Sequence, residues 1–248
     1  HAMKKATTLL IAATCALTVN AQKIDFNLPG KESQSLEEGF SNWAVGRATA
    51  SESSFTDDNG NNITIKVESV AGIAGNAVFC NWWKDGVTRH SRLVGDGIYP
   101  IILDSNNNYT WSGTEPMGVQ FTISGLPAGE HTLCAYHNNT DGVTTPGYPT
   151  IKVVVDGVTA LTGVEQTIRA TKESDAGMSY IRFTAKEGTP VTVQYISELT
   201  DGKTYINSAV AINALFFDRP NPKTQAMNPA PAHRDYHADC DNGYARLS

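Results

Sequence analysis

The stretch Asn61-Asn62-Ile63-Thr64-Ile65-Lys66-Val67-Glu68-Ser69-Val70 decides the fold class. Ile63, Ile65 and Val67 fall on one side of an extended chain, and Thr64, Lys66 and Glu68 fall on the other. Side chains alternate across a strand with period two, so this pattern buries one face and wets the other. The same alternation, or a short apolar run, recurs at "MGVQFTISGL" (117–126), "HTLCAYH" (131–137), "TIKVVVDG" (150–157), "SYIRFTAKEG" (179–188), "PVTVQYISEL" (190–199) and "AVAINALFFD" (209–218). Gly, Pro, Asn or Asp bounds each run, and Asp156-Gly157 marks a tight turn. "KIDFNL" (23–28) reads as an opening strand, and Trp43 to Thr49 as a further one. No amphipathic helix longer than two turns is legible after residue 22. The expected class is all-β, a jelly-roll-like β-sandwich.

The chain of 248 residues is long enough for one large β-domain. Its N-terminus reads as a targeting segment. Lys4 and Lys5 precede an apolar run from Thr7 to Val19, and Val19-Asn20-Ala21 fits a cleavage site. The run is too short to span a bilayer. His1-Ala2 reads as a cloning scar, so residues 1–21 are assigned to scar and signal peptide. The product is expected to be exported: periplasmic, cell-surface or secreted. Residues 22–218 form the expected sandwich domain. Residues 219–233 carry four prolines in a polar stretch and read as a linker. Residues 234–248 read as the first hairpin of a truncated second domain. A lone hairpin is marginal in water, so the chain is expected to be cut from a longer protein.

The formal net charge is −6, and −8 once Lys4 and Lys5 leave with the signal. No Lys/Arg cluster is present, which argues against nucleic acid as a partner. After cleavage three cysteines remain, Cys80, Cys134 and Cys240. Their wide spacing gives no zinc pattern and leaves the choice of a disulfide pair open.

Three aromatic and amide clusters point to sugar recognition. Sugars offer an apolar CH face and a ring of hydroxyls, which an aromatic platform and planar polar groups can match. "NWWKDGVTRH" (81–90) supplies Trp82 and Trp83. "YTWSG" (109–113) supplies Tyr109 and Trp111, beside Asn106, Asn107 and Asn108. "AYHNNTDG" (135–142) supplies His137, Asn138, Asn139 and Asp141, with Tyr136 read as a core residue. "DDNGNN" (57–62) crowds oxygen atoms around Gly60. It reads as an exposed turn, with structural calcium as the alternative, because Ile63-Thr64-Ile65 is strand-like where an ion-binding loop would continue. No cofactor is expected. A pair of carboxylates can always be found among 25 acids, so acid pairs do not argue for glycoside hydrolysis. A lyase site would draw on Arg89, His90, Arg92, Tyr136 and His137.

"RLVGDGIYP" (92–100), "FTISGLPAGEHTLCAYHNN" (121–139), "IKVVVDGV" (151–158) and "AINALFFDRPNP" (211–222) together resemble the N-terminal β-sandwich modules of secreted Bacteroidetes polysaccharide-degrading proteins, especially polysaccharide lyases. Such modules are similar to malectin-like or galactose-binding-like jelly rolls, and the resemblance covers Lys23 to Pro222. The tail resembles the start of a fibronectin type III-like module. The resemblance implies a non-catalytic domain that binds polysaccharide or braces the C-terminal domains of the same parent. The alternatives are a purely structural spacer, and a lyase or hydrolase with its site in this domain.

Overall fold

In a computed structural model of the chain, the described residues are 22–56, 60–70, 76–83, 91–103, 105–106, 108–110, 116–142, 144, 147–199 and 210–223. The expected signal peptide, most of the linker and the expected C-terminal hairpin lie outside them.

The described strands, in chain order, are β1 (Lys23–Asn27), β2 (Ser41–Ala44), β3 (Ala50–Thr56), β4 (Asn62–Val70), β5 (Asn76–Trp82), β6 (Asp96–Leu103), β7 (Tyr109–Thr110), β8 (Gly118–Ser124), β9 (Gly129–Asn139), β10 (Thr150–Val155), β11 (Val158–Val164), β12 (Thr167–Ile168), β13 (Gly177–Ala185), β14 (Val191–Glu198) and β15 (Ala214–Phe217). One helical turn, α1 (Glu32–Ser35), follows β1. The chain is all-β, as the alternation predicts.

One sheet runs β12-β9-β15-β1-β2, with β13 also paired to β9. A second runs β11-β10-β14-β8-β4-β3, and β5-β6-β7 form a smaller third. The two large sheets make the sandwich. Ile24, Phe26, Leu133, Ile181, Leu215 and Phe217 from the first pack in one cluster with Ile63, Ile65, Val67, Phe121, Ile123, Val153 and Val193 from the second. The Ile63, Ile65 and Val67 row enters this core as its spacing dictates. At about 25 cal/mol per Å² of apolar surface removed from water, such rows supply the main favourable contribution to folding.

β9 is buried on both faces. Leu133 and Ala135 face the sandwich. Cys134 and Tyr136 face a second cluster with Phe40, Leu93, Val94 and Phe216, formed where the 36–40 and 91–95 connections cover the first sheet. Cys80 and Cys134 are both buried free thiols. Burial pushes both thiols up, because a thiolate would lose its hydration.

Thr56 ends β3 and Asn62 begins β4, and the two residues pair, so 57–61 joins the strands of a hairpin. Gly60 takes a positive φ of 82° there. Asp57, Asp58 and Asn59 lie outside the described residues. Among those described, no group of three or more His, Cys, Asp or Glu side chains is arranged to hold a metal ion. None of the described helices is long and apolar enough to cross a membrane.

Candidate functional site: a cleft beside the third sheet

The expected rim residues take a different place. His137 lies within the buried part of β9, which runs on through Asn139, and its ring is fully enclosed, 5.5 Å from the Tyr195 ring across the sandwich. Its Nδ1–H donates to the Ala211 carbonyl at 2.8 Å, and its Nε2 accepts from the Ser179 hydroxyl at 2.8 Å. Burial lowers its pKa to about 4, so the ring is neutral at physiological pH. Asn138 is enclosed too. Its amide donates to Val94 O (2.8 Å) and Ala170 O (3.3 Å), and its Oδ1 accepts from Ala170 N and Thr167 Oγ1, both at 2.9 Å. That uses every hydrogen-bonding position of the side chain. Asn139 donates to Thr167 O and Gln166 Oε1. These three residues pin connecting segments to β9 and are closed to a sugar. Tyr136 is a core residue, as expected.

Asp141, the last of that group, does reach the surface. It lines a cleft of about 510 Å³ with Leu28, Pro29, Arg47, Phe79 and Asn81. The floor comes from β5. Cys80 points into the main core, so its neighbours Phe79 and Asn81 point to the opposite side. Phe79 is half-buried and packs on Tyr99, with ring centroids 6.0 Å apart. The Tyr99 hydroxyl accepts from Thr140 N (2.8 Å) and donates to Thr140 Oγ1 (3.1 Å), which fixes the backbone just before Asp141. Asn81 Nδ2 donates to Asp141 Oδ1 at 3.4 Å, tying floor to wall. The Tyr148 hydroxyl donates to Asp141 O at 3.4 Å.

Trp83 follows β5, and its N–H donates to Gly95 O at 2.6 Å. The Arg169 guanidinium lies 5.2 Å over the Trp83 ring. Arg169 adopts a positive φ of 50°, uncommon for a side-chain-bearing residue. Its Nε–H donates to Thr140 O at 2.8 Å. A Cβ at Gly142 would come within 3.3 Å of the guanidinium, so the residue after Asp141 leaves room for this cation. Trp82 is half-buried, lies outside the cleft lining, and has the Lys31 ammonium 5.4 Å over its ring. Tyr109 is placed by its backbone in β7, opposite Leu103. Trp111 lies outside the described residues.

The residues named for a lyase site are not brought together. Tyr136 and His137 are enclosed, Arg92 is exposed with its guanidinium on Leu36 O (3.5 Å), and Arg89 and His90 lie outside the described residues.

The cleft thus joins Asp141 to residues that the sequence did not single out, Arg47, Phe79 and Asn81, while Tyr148 and Arg169 bond to the backbone at Asp141 and Thr140 beside it. Their signal was faint. Phe79 and Asn81 flank Cys80 on alternate positions of one strand, and only the burial of Cys80 tells which face is wet.

No protein-family model and no curated protein sequence matches the chain. Among solved structures, a family 35 carbohydrate-binding module from Clostridium thermocellum is similar at 9% identity and a TM-score of 0.33, over 68% of this chain and 99% of that one. The module TmCBM61, in complex with beta-1,4-galactotriose, aligns at 9% identity and a TM-score of 0.34, over 62% and 88% of the two chains. A beta-glucosidase from Kluyveromyces marxianus aligns at 13% identity and a TM-score of 0.26, over 51% of this chain and 13% of the enzyme.

Proposed function

We propose that this chain is a carbohydrate-binding module whose site is the cleft between the Leu28–Pro29 turn, β5 and Asp141. One observation carries the reading. An open cleft sets a half-buried aromatic ring, Phe79, beside an amide, a carboxylate and a guanidinium, from Asn81, Asp141 and Arg47. The ring and the Leu28 and Pro29 side chains suit the CH face of a sugar. Asn81 and Asp141 offer both donor and acceptor to adjacent hydroxyls. Trp83, with Arg169 over it, offers a second flat surface for a longer chain. A shallow site leaves much of the association cost unrecovered, so single-site affinity is weak.

The signal-like N-terminus and the proline-rich stretch 219–233 support a wider reading. In it the module belongs to an exported, multidomain polysaccharide-degrading protein, a polysaccharide lyase on the sequence resemblance, and is non-catalytic itself.

Affinity electrophoresis of the chain in gels cast with neutral and uronate-containing polysaccharides tests the binding claim. Retardation by at least one polysaccharide is expected. Phe79→Ala and Asp141→Ala should each weaken it roughly tenfold, about 1.4 kcal/mol, with the far-ultraviolet spectrum unchanged. Full retention in both variants would remove the cleft as the site, and no retardation in any gel would remove the function.

A further inference from the structure

Two stretches of sequence that the binding reading does not use, "GLPAGEHT" (125–132) and "FFDRPNP" (216–222), meet at one end of the sandwich. β15 pairs with β9 as far as Phe217 opposite Leu133, and Asp218 continues the pairing. Its N–H donates to Thr132 O at 3.0 Å, and its Oδ1 accepts from Thr132 N at 3.0 Å. Asp218 turns the chain there with a positive φ of 55°, a conformation that Asp and Asn tolerate better than most residues. Beyond it, the Arg219 carbonyl accepts from the Tyr180 hydroxyl at 2.7 Å and the Thr132 hydroxyl at 3.2 Å. Pro222 is buried, and Asn221 Oδ1 accepts from Lys223 N at 3.0 Å. The first residues of the expected linker are therefore held against β9 and β13.

His131 closes the joint. Its Nδ1 lies 2.8 Å from Asp218 Oδ2, and its Nε2 lies 2.7 Å from Pro127 O. A carbonyl oxygen only accepts, so Nε2 carries a hydrogen. An ionised carboxylate only accepts too, so Nδ1 carries a second one. Were the carboxyl to hold that hydrogen instead, it would donate to Nδ1 and the proton count would be the same. His137 gives the contrast: one of its partners is the Ser179 hydroxyl, which donates, so a neutral ring suffices there. We propose that one proton bound between His131 and Asp218 clamps the chain where it leaves the sandwich, and that the joint loosens when this proton is lost. Without it, a ring nitrogen and an acceptor oxygen face each other lone pair to lone pair, and relief comes from moving Asp218 or the Pro127 turn away. Asp218 also carries the bond to Thr132 N and the chain reversal, so its movement releases Arg219.

The surroundings keep the pair to itself. The His131 and Asp218 side chains are only 9% and 17% exposed, so dissolved salt screens them weakly. The Phe183 ring of β13 stacks on the imidazole with centroids 5.9 Å apart. The charged neighbours on the flanking strands, Glu130 of β9 and Arg182 of β13, pair with each other at 2.9 Å. On the exit itself the other charged side chains are Arg219 and Lys223. The joint also lies far from the cleft. At about 3.3 Å per residue, β9 carries the chain roughly 26 Å from His131 to Asn139, two residues before Asp141. Gln22 lies at the joint's end, its carbonyl accepting from Phe217 N at 3.0 Å. The clamp thus orients the residues that follow without touching the cleft.

The sign follows from the hydrogen count: the clamp is complete with the proton bound and is lost as pH rises. Nitrogen NMR of the full chain from about pH 5.5 to about pH 8.5, the span in which imidazoles change charge, reads the His131 ring. Hydrogen exchange, corrected for intrinsic rates, reads the Thr132 and Asp218 amides over the same span. Protection of both amides should fall roughly tenfold in step with loss of the second ring hydrogen, while the amides of β14 keep theirs. Asp218→Asn keeps an acceptor for Thr132 N and suits the positive φ. Its amide can donate to a neutral Nδ1, so it needs no extra proton. In that variant protection should change less than about twofold. A ring with one hydrogen throughout, or protection that ignores the ring's proton, would overturn the proposal. So would an Asp218→Asn variant as sensitive to pH as the parent. If the variant does not fold, the two readouts on the parent decide alone. None of them uses a glycan, so failure of the binding reading leaves the clamp standing.

Discussion

At the scale of single residues, His137 shows how one strand position changes what an imidazole can do. Full burial and two internal hydrogen bonds make it a bracket between Ala211 and Ser179 instead of a ligand group. The consequence is measurable. Its folded pKa is lowered to about 4, while the unfolded ring titrates near 6.5. Between those values the unfolded state binds a proton that the folded state refuses. Stability is therefore full above about pH 6.5 and is lost as pH falls toward 4, by up to roughly 3 kcal/mol. Urea unfolding of the parent and His137→Gln near pH 7 and pH 4.5 checks this: the parent's midpoint should fall more steeply with acid than the variant's. Equal slopes would mean that the ring is protonated in the fold. Above pH 7 His137 is silent.

At the scale of elements, legibility followed burial contrast. β4, β13 and β14 alternate between core and solvent, so apolar spacing in "NITIKV", "SYIRFTA" and "VTVQYIS" marks them at once. β3 and β11 carry little such contrast. They are the outer strands of their sheet, and "ASESSFT" and "VTALTGV" are polar or exposed over most of their length. Hydrogen bonding to β4 and β10 places them, and only the turn residues joining the paired strands hint at that partnership in the sequence. β9 misled in a different way. Its exit "YHNN" looks like the wet end of a strand, yet connections at 166–170 and 211–213 close over it and hydrogen-bond His137, Asn138 and the Asn139 amide. Those contacts join residues about 30 to 75 positions apart, beyond any local pattern. Gly118 offers a test at this scale. It begins β8, which is held between β4 and β14, and a Cβ there would lie 2.8 Å from Tyr195 O and 3.2 Å from Val70 O. Both obstacles are backbone, so neither strand can yield cheaply. Gly118→Ala should destabilise by about 2 kcal/mol, read as a lower urea midpoint at unchanged slope. A neutral effect would mean that the start of β8 is free to shift.

At the scale of the whole molecule, charge and shape divide the work. The chain carries a net −6, yet the cleft and the strip beside it gather Arg47 and Arg169 around Asp141 and Asn81. The acidic surface gives polyanions no long-range attraction, and the local cations sit among groups suited to hydroxyls. Binding of a neutral polysaccharide here should rest on ring contact and short hydrogen bonds, which act inside the distance over which salt screens. The Debye length shrinks from about 10 Å at 0.1 M to about 3 Å at 1 M salt. Retardation by a neutral polysaccharide should therefore change less than twofold across that range, about 0.4 kcal/mol. A tenfold loss would show that distant charges, not the Phe79 floor, hold the ligand. The site would then have to be sought on the Lys31 and Arg169 faces of the two tryptophans rather than in the cleft lined by Phe79 and Asp141.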